Sequence, residues 1–233
     1  MSSIRENIEV VRNDIKDICR KQGRDPDKVT LIAVTKTIDE ERIREAICSG
    51  ITDIGENKVQ EIMDKYEALK DVSNIHLIGH LQSNKVKYII DKVKLIHSVD
   101  SMKLMDEINR RAIKAGVIAN ILIQVNVACE DTKFGIEMET VDSHIEYASK
   151  LENIRVQGLM TIAPNYEYVE QTRPIFRALR KKFDELSNNQ YSNVEMKYLS
   201  MGMTNDYKIA LEEGSNMIRV GTGIFGKRVY NKN

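Results

Sequence analysis

The sequence predicts one α/β domain over residues 1–233, folded as a single (β/α)8 TIM-type barrel with an extra N-terminal helix. Three observations point there. Eight short apolar runs alternate with amphipathic stretches along almost the whole chain. No hairpin signal joins any two runs, so the strands are expected to be parallel. Polar residues collect at the C-terminal ends of the runs, the face where such barrels keep their chemistry. A doubly wound open sheet is the competing fold. It usually carries a glycine-rich turn after its first strand, and Thr35-Lys36-Thr37-Ile38-Asp39 is not one.

The opening helix shows Ile4, Ile8, Val11, Ile15 and Ile18 at spacings of four and three, with Ser3 and Glu6 placed as a capping box. It ends by Gly23 and Pro26. Strands follow at Leu31–Lys36, Ile51–Gly55, Ile75–His80 and Lys94–Val99, then at Asn120–Val127, Arg155–Ile162, Lys197–Met201 and Met217–Gly221. Helical patterns fill the intervals at Glu40–Cys48, Lys58–Leu69, Asn84–Ile90, Met102–Ala115, Thr140–Leu151, Tyr168–Leu186 and Asp206–Glu213. Almost nothing is left over for a second domain.

Composition narrows the function classes. Hydrophobic residues make up 42% of the chain, enough for a sizeable core. Charged residues make up 30% at zero net charge, which argues against disorder and against a dedicated nucleic-acid surface. Tryptophan is absent, so base-stacking platforms are not expected. Cys19, Cys48 and Cys129 lie far apart and read as reduced, buried thiols. The N-terminus lacks an apolar h-region, and no run is long enough to span a membrane. The expectation is a soluble cytoplasmic protein, acting as a monomer, with neither nucleic acid nor membrane as a partner.

Lys36 closes the run Leu31-Ile32-Ala33-Val34-Thr35-Lys36. A lysine ending a buried strand is either an amphipathic side chain reaching for water or a covalently used amine. Two loops favour the second reading. After the seventh run come Leu199-Ser200-Met201-Gly202-Met203-Thr204-Asn205-Asp206; after the eighth, Val220-Gly221-Thr222-Gly223. Barrels often bind phosphate with these two loops, where small residues expose backbone N–H groups and hydroxyls add donors. Met201 and Met203 flank Gly202 and are candidates to line the pocket. Arg219 alternates with Ile218 and Val220, so a guanidinium faces the barrel mouth if the aliphatic pair faces the helices. The alternative for Arg219 is a buried ion pair with Glu56 or Asp53. Lysine, arginine and a phosphate cradle at one mouth imply a phosphorylated carbonyl compound held as an imine, either pyridoxal phosphate or a sugar phosphate.

Four segments carry a resemblance. They are Gly55-Glu56-Asn57 with Val59-Gln60-Glu61; Ile75-His76-Leu77-Ile78-Gly79-His80-Leu81-Gln82-Ser83-Asn84-Lys85; Leu199-Ser200-Met201-Gly202-Met203; and Ile218-Arg219-Val220-Gly221-Thr222 with Ile224-Phe225-Gly226. Together they resemble the pyridoxal phosphate homeostasis proteins, single barrels similar to the N-terminal domain of alanine racemase. The resemblance runs from the first helix to Arg228. It implies that Lys36 forms the internal aldimine and that Asn57 lies by the cofactor. Ser200, Thr204, Gly221 and Thr222 would hold the phosphate, and Arg219 would meet the pyridine nitrogen. Lys58 stands where the family usually shows Tyr, and Thr204 stands where it usually shows Ser.

The functional expectation is a carrier or regulator of pyridoxal 5'-phosphate, not an enzyme, passing the cofactor to apo-enzymes that use it. The alternative is an enzyme using the same cofactor, such as a weak amino-acid racemase or lyase. A Schiff-base aldolase acting on a sugar phosphate is a third reading. A racemase needs a second base on the opposite ligand face, which alanine racemase takes from an additional domain. His80 is read as a hydrogen-bonded fixture, and Lys133 as a solvated loop lysine. His76 and His80 are four apart but lie in a strand, so no metal site is expected.

Overall fold

Parallel strands pair in sequence order and the eighth pairs with the first, closing a barrel. The computed structural model describes residues 2–130, 133–188 and 191–226. In chain order the elements are α1 (Ile4–Lys21), β1 (Thr30–Val34), α2 (Glu40–Cys48), β2 (Asp53–Glu56), α3 (Val59–Leu69) and β3 (Asn74–Leu77). Next come α4 (Val86–Ile89), β4 (Leu95–Val99), α5 (Met102–Ala115), β5 (Ala119–Gln124) and α6 (Val141–Ser149). The chain continues with β6 (Ile154–Met160), α7 (Arg173–Leu186), β7 (Val194–Met203), α8 (Tyr207–Glu212), β8 (Met217–Val220) and α9 (Thr222–Phe225). This is the expected (β/α)8 barrel with an extra first helix.

The pleat sorts the strand residues into two sets. Ile32, Leu95, Leu122, Met160 and Met217 meet inside the barrel. Their neighbours, such as Ala33, Ile96, Ile121, Leu159 and Ile218, join the larger apolar layer between strands and helices. Helix α1 buries Ile4, Ile8, Val11, Ile15 and Cys19. The stripe therefore ends at Cys19, with Ile18 only half-buried, because the 3.6-residue period carries Ile18 off the buried face. The capping box forms as expected: Glu6 N–H donates to Ser3 Oγ at 3.2 Å, and Ser3 N–H to Glu6 Oε2 at 2.8 Å. Helix α1 covers the C-terminal helices, with Asn7 donating to Ile224 O and the Tyr207 hydroxyl to Asp14.

The thiols depart from expectation. Cys19 is buried, but Cys48 and Cys129 are exposed. Cys48 is the last residue of α2, and Cys129 sits in the loop after β5 at φ +52°.

Among the described residues no helix is long and apolar enough to cross a membrane. A cavity of about 300 Å3 opens at the N-terminal end of the barrel, lined by Arg12, Lys16, Thr30, Thr52 and Asp53. In such barrels that end serves stability, and chemistry belongs to the opposite face.

Candidate functional site

Strand β1 stops at Val34, so Lys36 lies in the turn beyond it rather than at the strand's last position. Both flanking threonines are clamped. Thr35 N–H donates to Gly55 O at 3.0 Å, and its hydroxyl donates to Glu56 Oε1 at 2.6 Å. Thr37 adopts φ +62°, an unfavourable left-handed conformation for a β-branched residue, and its N–H donates to Glu61 Oε2 at 2.6 Å. Lys65 Nζ gathers the clamp, donating to Glu56 Oε1 at 2.8 Å, Thr35 O at 2.9 Å and Glu61 Oε2 at 3.3 Å. Burial lifts the Glu56 carboxyl above its ordinary range despite Lys65 and Thr35. Burial acts the same way on Glu61, but the Thr37 N–H and Lys65 outweigh it and hold that carboxyl low. The backbone on either side of Lys36 is thus fixed while its side chain remains available.

Lys36 lines a cavity of about 220 Å3 at the C-terminal face, together with Met203, Thr204, Arg219, Gly221 and Thr222. The structure therefore brings together five of the eight residues read from the sequence. Asn57 is half-buried at the end of β2 and does not line this cavity; its Oδ1 is buried without a hydrogen-bond partner. Gly79 packs against the Asn57 backbone so closely that a Cβ there would lie 2.3 Å from Asn57 O. Ser200 is fully buried beneath the cavity, and Met201 faces the helix layer. The alternation along β7 explains both positions: Tyr198 and Ser200 point inward, Leu199 and Met201 outward. Gly202, at φ +95°, breaks that alternation and turns Met203 to the cavity.

The two loops after β7 and β8 meet at Thr204. Its Oγ1 accepts the N–H groups of Gly221 at 3.3 Å and Gly223 at 3.2 Å. Two backbone donors thus converge on one oxygen at the cavity edge. Arg219 is inside the barrel, 2% exposed, and its partners are neutral: Nη2 donates to Thr161 O at 2.8 Å, and Nη1 to Ser200 Oγ. The ion pair with Glu56 or Asp53 does not form; those carboxylates are taken by Lys65 and by Lys94 and His76. Among the described residues Arg219 makes no salt bridge, and burial pushes its pKa down to about 10, still protonated at neutral pH. Asp206 lines the same cavity, where it accepts the Met203 N–H at 2.5 Å; burial lifts its carboxyl.

The other candidates fall elsewhere. His80 Nδ1 lies 3.3 Å from Asp100 Oδ2, and its ring stacks on Phe134 at 3.8 Å. Lys133 stands 3.9 Å from Glu130, with Asp131 and Thr132 outside the described residues. Among the described residues no group of three or more His, Cys, Asp or Glu is placed to hold a metal. Sequence reasoning missed a buried polar line inside the barrel through Asp53, His76, His97 and Ser200. The available signal was a histidine at the third position of both β3 and β4, each preceded by an isoleucine.

Fold and site together define a barrel of the alanine racemase N-terminal type, and the family model for "Alanine racemase, N-terminal domain" matches residues 2–229. A pyridoxal phosphate homeostasis protein of Aquifex aeolicus (strain VF5) is 46% identical over 226 residues, covering 97% of this chain and 98% of that protein. The chain belongs to the pyridoxal phosphate homeostasis protein family. The solved structure of PipY from Synechococcus elongatus PCC7942 with PLP bound has a TM-score of 0.82 and 32% identity, covering 96% of this chain and all of that one. Alanine racemase from Clostridium difficile 630 matches at a TM-score of 0.72 and 17% identity, a likeness of fold alone. That match covers 99% of this chain and 61% of the racemase.

Proposed function

We propose that this chain holds pyridoxal 5'-phosphate as a Schiff base on Lys36 and serves intracellular homeostasis of the cofactor, releasing it to apo-enzymes that need it. The reading treats residues 1–233 as one domain, acting as a monomer in the cytoplasm. One observation carries it: a free-ended lysine, a buried guanidinium without a carboxylate partner, and Thr204, on whose hydroxyl two loop N–H groups converge, share one cavity. This donor set fits the group. An aldehyde suits Lys36, a phosphate suits Thr204, Gly221, Gly223 and Thr222, and a pyridine nitrogen suits an N–H of Arg219. The unpartnered Asn57 Oδ1 lies outside this cavity, one residue past β2, the strand that pairs with β1. Ser200 supports the site from below, through Arg219, with Met201 packed behind it.

When bound, the cofactor would supply the aldehyde and an electron-withdrawing ring. The protein fixes the amine, orients the ring nitrogen's partner and grips the phosphate. The enzyme alternative needs a second acid–base group across from Lys36. Among the described residues, those lining the cavity include no His, Tyr or Cys, and Asp206 is committed to the Met203 N–H. The relative's name and the PLP-bound PipY support the holding role.

The test is direct. Purified protein incubated with pyridoxal phosphate should gain visible absorbance, and borohydride should fix the pyridoxyl group on the Lys36 peptide by mass spectrometry. A protein that stays colourless and unmodified overturns the reading. Labelling by a sugar phosphate, with no response to pyridoxal phosphate, would favour the aldolase.

A further inference from the structure

The polar line inside the barrel has an end in each cavity. Asp53, the first residue of β2, lines the lower cavity, and Arg219 lines the upper one. Between them His76 Nε2 is 2.9 Å from Asp53 Oδ1, His76 Nδ1 is 3.0 Å from His97 Nε2, and His97 Nδ1 is 3.1 Å from Ser200 Oγ. Arg219 Nη1 completes the line on Ser200 Oγ. All five side chains are buried.

Elementary valence fixes the direction of this line. A guanidinium only donates, and an ionised carboxylate only accepts. Asp53 is ionised: against burial, hydrogen bonds from His76 and Thr52 and the charge of Lys94 hold its carboxyl far below the ordinary range. Asn74 Nδ2 adds a further donor at 3.1 Å. Burial lowers the pKa of both histidines, that of His97 especially, with His76 and Arg219 opposing any second charge there. Each neutral ring has one N–H and one lone pair. A single arrangement then satisfies every contact. Ser200 O–H donates to His97 Nδ1, His97 Nε2–H to His76 Nδ1, and His76 Nε2–H to Asp53 Oδ1. The serine proton is thereby committed downward, and its oxygen is presented to Arg219 as an acceptor.

We infer that Asp53, His76 and His97 are positioning residues for the cofactor, orienting Ser200 and through it the Arg219 guanidinium from the opposite end of the barrel. This rests on the pyridoxal phosphate reading of the upper cavity. Ser200 and Thr161 O take two of the five guanidinium N–H groups, one on each Nη, which holds the plane in place. The remaining donors belong to a guanidinium that lines the cavity and cannot rotate without losing both acceptors. An acceptor at the far end sets the tautomer of each ring above it, as partners of metal-bound or catalytic histidines do.

Two measurements test this. The first needs no variant: 15N chemical shifts of imidazole-labelled wild-type protein at neutral pH should report His76 and His97 as neutral Nε2–H tautomers. An Nδ1–H tautomer or a doubly protonated ring at either position overturns the inference. The second compares pyridoxal phosphate titrations of wild type, Asp53→Asn and Asp53→Leu. Asp53→Asn keeps shape and an acceptor and should lose about 3-fold in affinity. Asp53→Leu removes the acceptor and should lose about 10-fold, with a shifted absorption maximum of the bound cofactor. Folded Asp53 variants with wild-type affinity and wild-type absorption overturn it; Asp53→Asn, being isosteric, keeps that comparison open if Asp53→Leu does not fold. Wild-type protein that binds no pyridoxal phosphate removes the cofactor reading, whereas wild-type binding with indifferent variants removes only the positioning role.

Discussion

Replacing Lys65 with methionine tests how the turn that carries Lys36 is held. Lys65 Nζ is the cation beside Glu56, whose side chain is only 1% exposed, at 2.8 Å. Breaking a buried pair by removing one partner costs about 3–5 kcal/mol, because the remaining charge stays buried. Two features place Lys65→Met at the lower end: Lys65 is itself 16% exposed, and Thr35 still donates to Glu56. About 3 kcal/mol is expected, or a fall in Tm of about 6–12 °C for a chain of this length. The sign of the pH dependence follows from Glu56. Its folded pKa is raised, so its contribution is fully present below the unfolded value and is lost as pH rises through the folded one. Without Lys65 the penalty is therefore largest at neutral and alkaline pH and shrinks in acid. Urea unfolding followed by circular dichroism, at neutral and at acid pH, measures both. Adding Glu56→Gln should recover about half the loss, since an amide oxygen still accepts from Thr35. A loss below about 1 kcal/mol, or a double variant no more stable than the single, refutes the reasoning.

Two further outcomes are expected. His76 and His97 have lowered folded pKa values, so their stability contribution is complete above the unfolded value of about 6.5 and is lost as pH falls. The pair contributes a slope of up to about 2.7 kcal/mol per pH unit below that point, opposed in part by Glu56; urea midpoints that stay flat into acid would contradict it. Gly79→Ala would place a Cβ 2.3 Å from Asn57 O, which backbone must yield to, so about 1–3 kcal/mol of stability should be lost along with pyridoxal phosphate affinity. An unperturbed titration of that variant would mean Asn57 plays no part in the site.

The barrel was legible in the sequence because buried parallel strands must be continuous apolar runs and their covering helices must be amphipathic. Boundaries were less so, for local reasons. The first run reads as strand through Lys36, but Thr37 turns left-handed and Glu61 fixes the turn, ending β1 at Val34. The fifth run reads through Val127, yet Asn126 N–H donates to Ile136 O and Ile136 N–H to Gln124 O, an isolated pairing with the following loop, and β5 ends at Gln124. Lys36, Thr204, Arg219, Gly221 and Thr222 were legible because their residue types make sense together only at one barrel mouth. Ser200 and Met201 were read with their loop, but both still belong to the pleat of β7, which points one down the barrel and the other into the helices. The line from Asp53 to Ser200 was invisible for another reason. Its members lie on β2, β3, β4 and β7, and only closure of the barrel makes them neighbours.

The same interior chemistry separates a holder from a catalyst. Carbanion chemistry on a pyridine ring is strengthened when the ring nitrogen carries a proton, and racemisation needs a base on each face of the substrate. Arg219 remains protonated at neutral pH and can only donate, so a ring nitrogen that meets it acts as acceptor and stays unprotonated. Its neutral partners, Ser200 and Thr161 O, offer no route for giving the proton up. A missing acid–base partner alone lowers proton transfer by about 10²–10⁴-fold. Loaded protein mixed with amino acids in deuterium oxide should accordingly show α-proton exchange at least that much slower than an enzyme equipped with both bases, as read by proton NMR. Exchange at turnover-like rates, abolished by Lys36→Ala, would favour the enzyme over the holder.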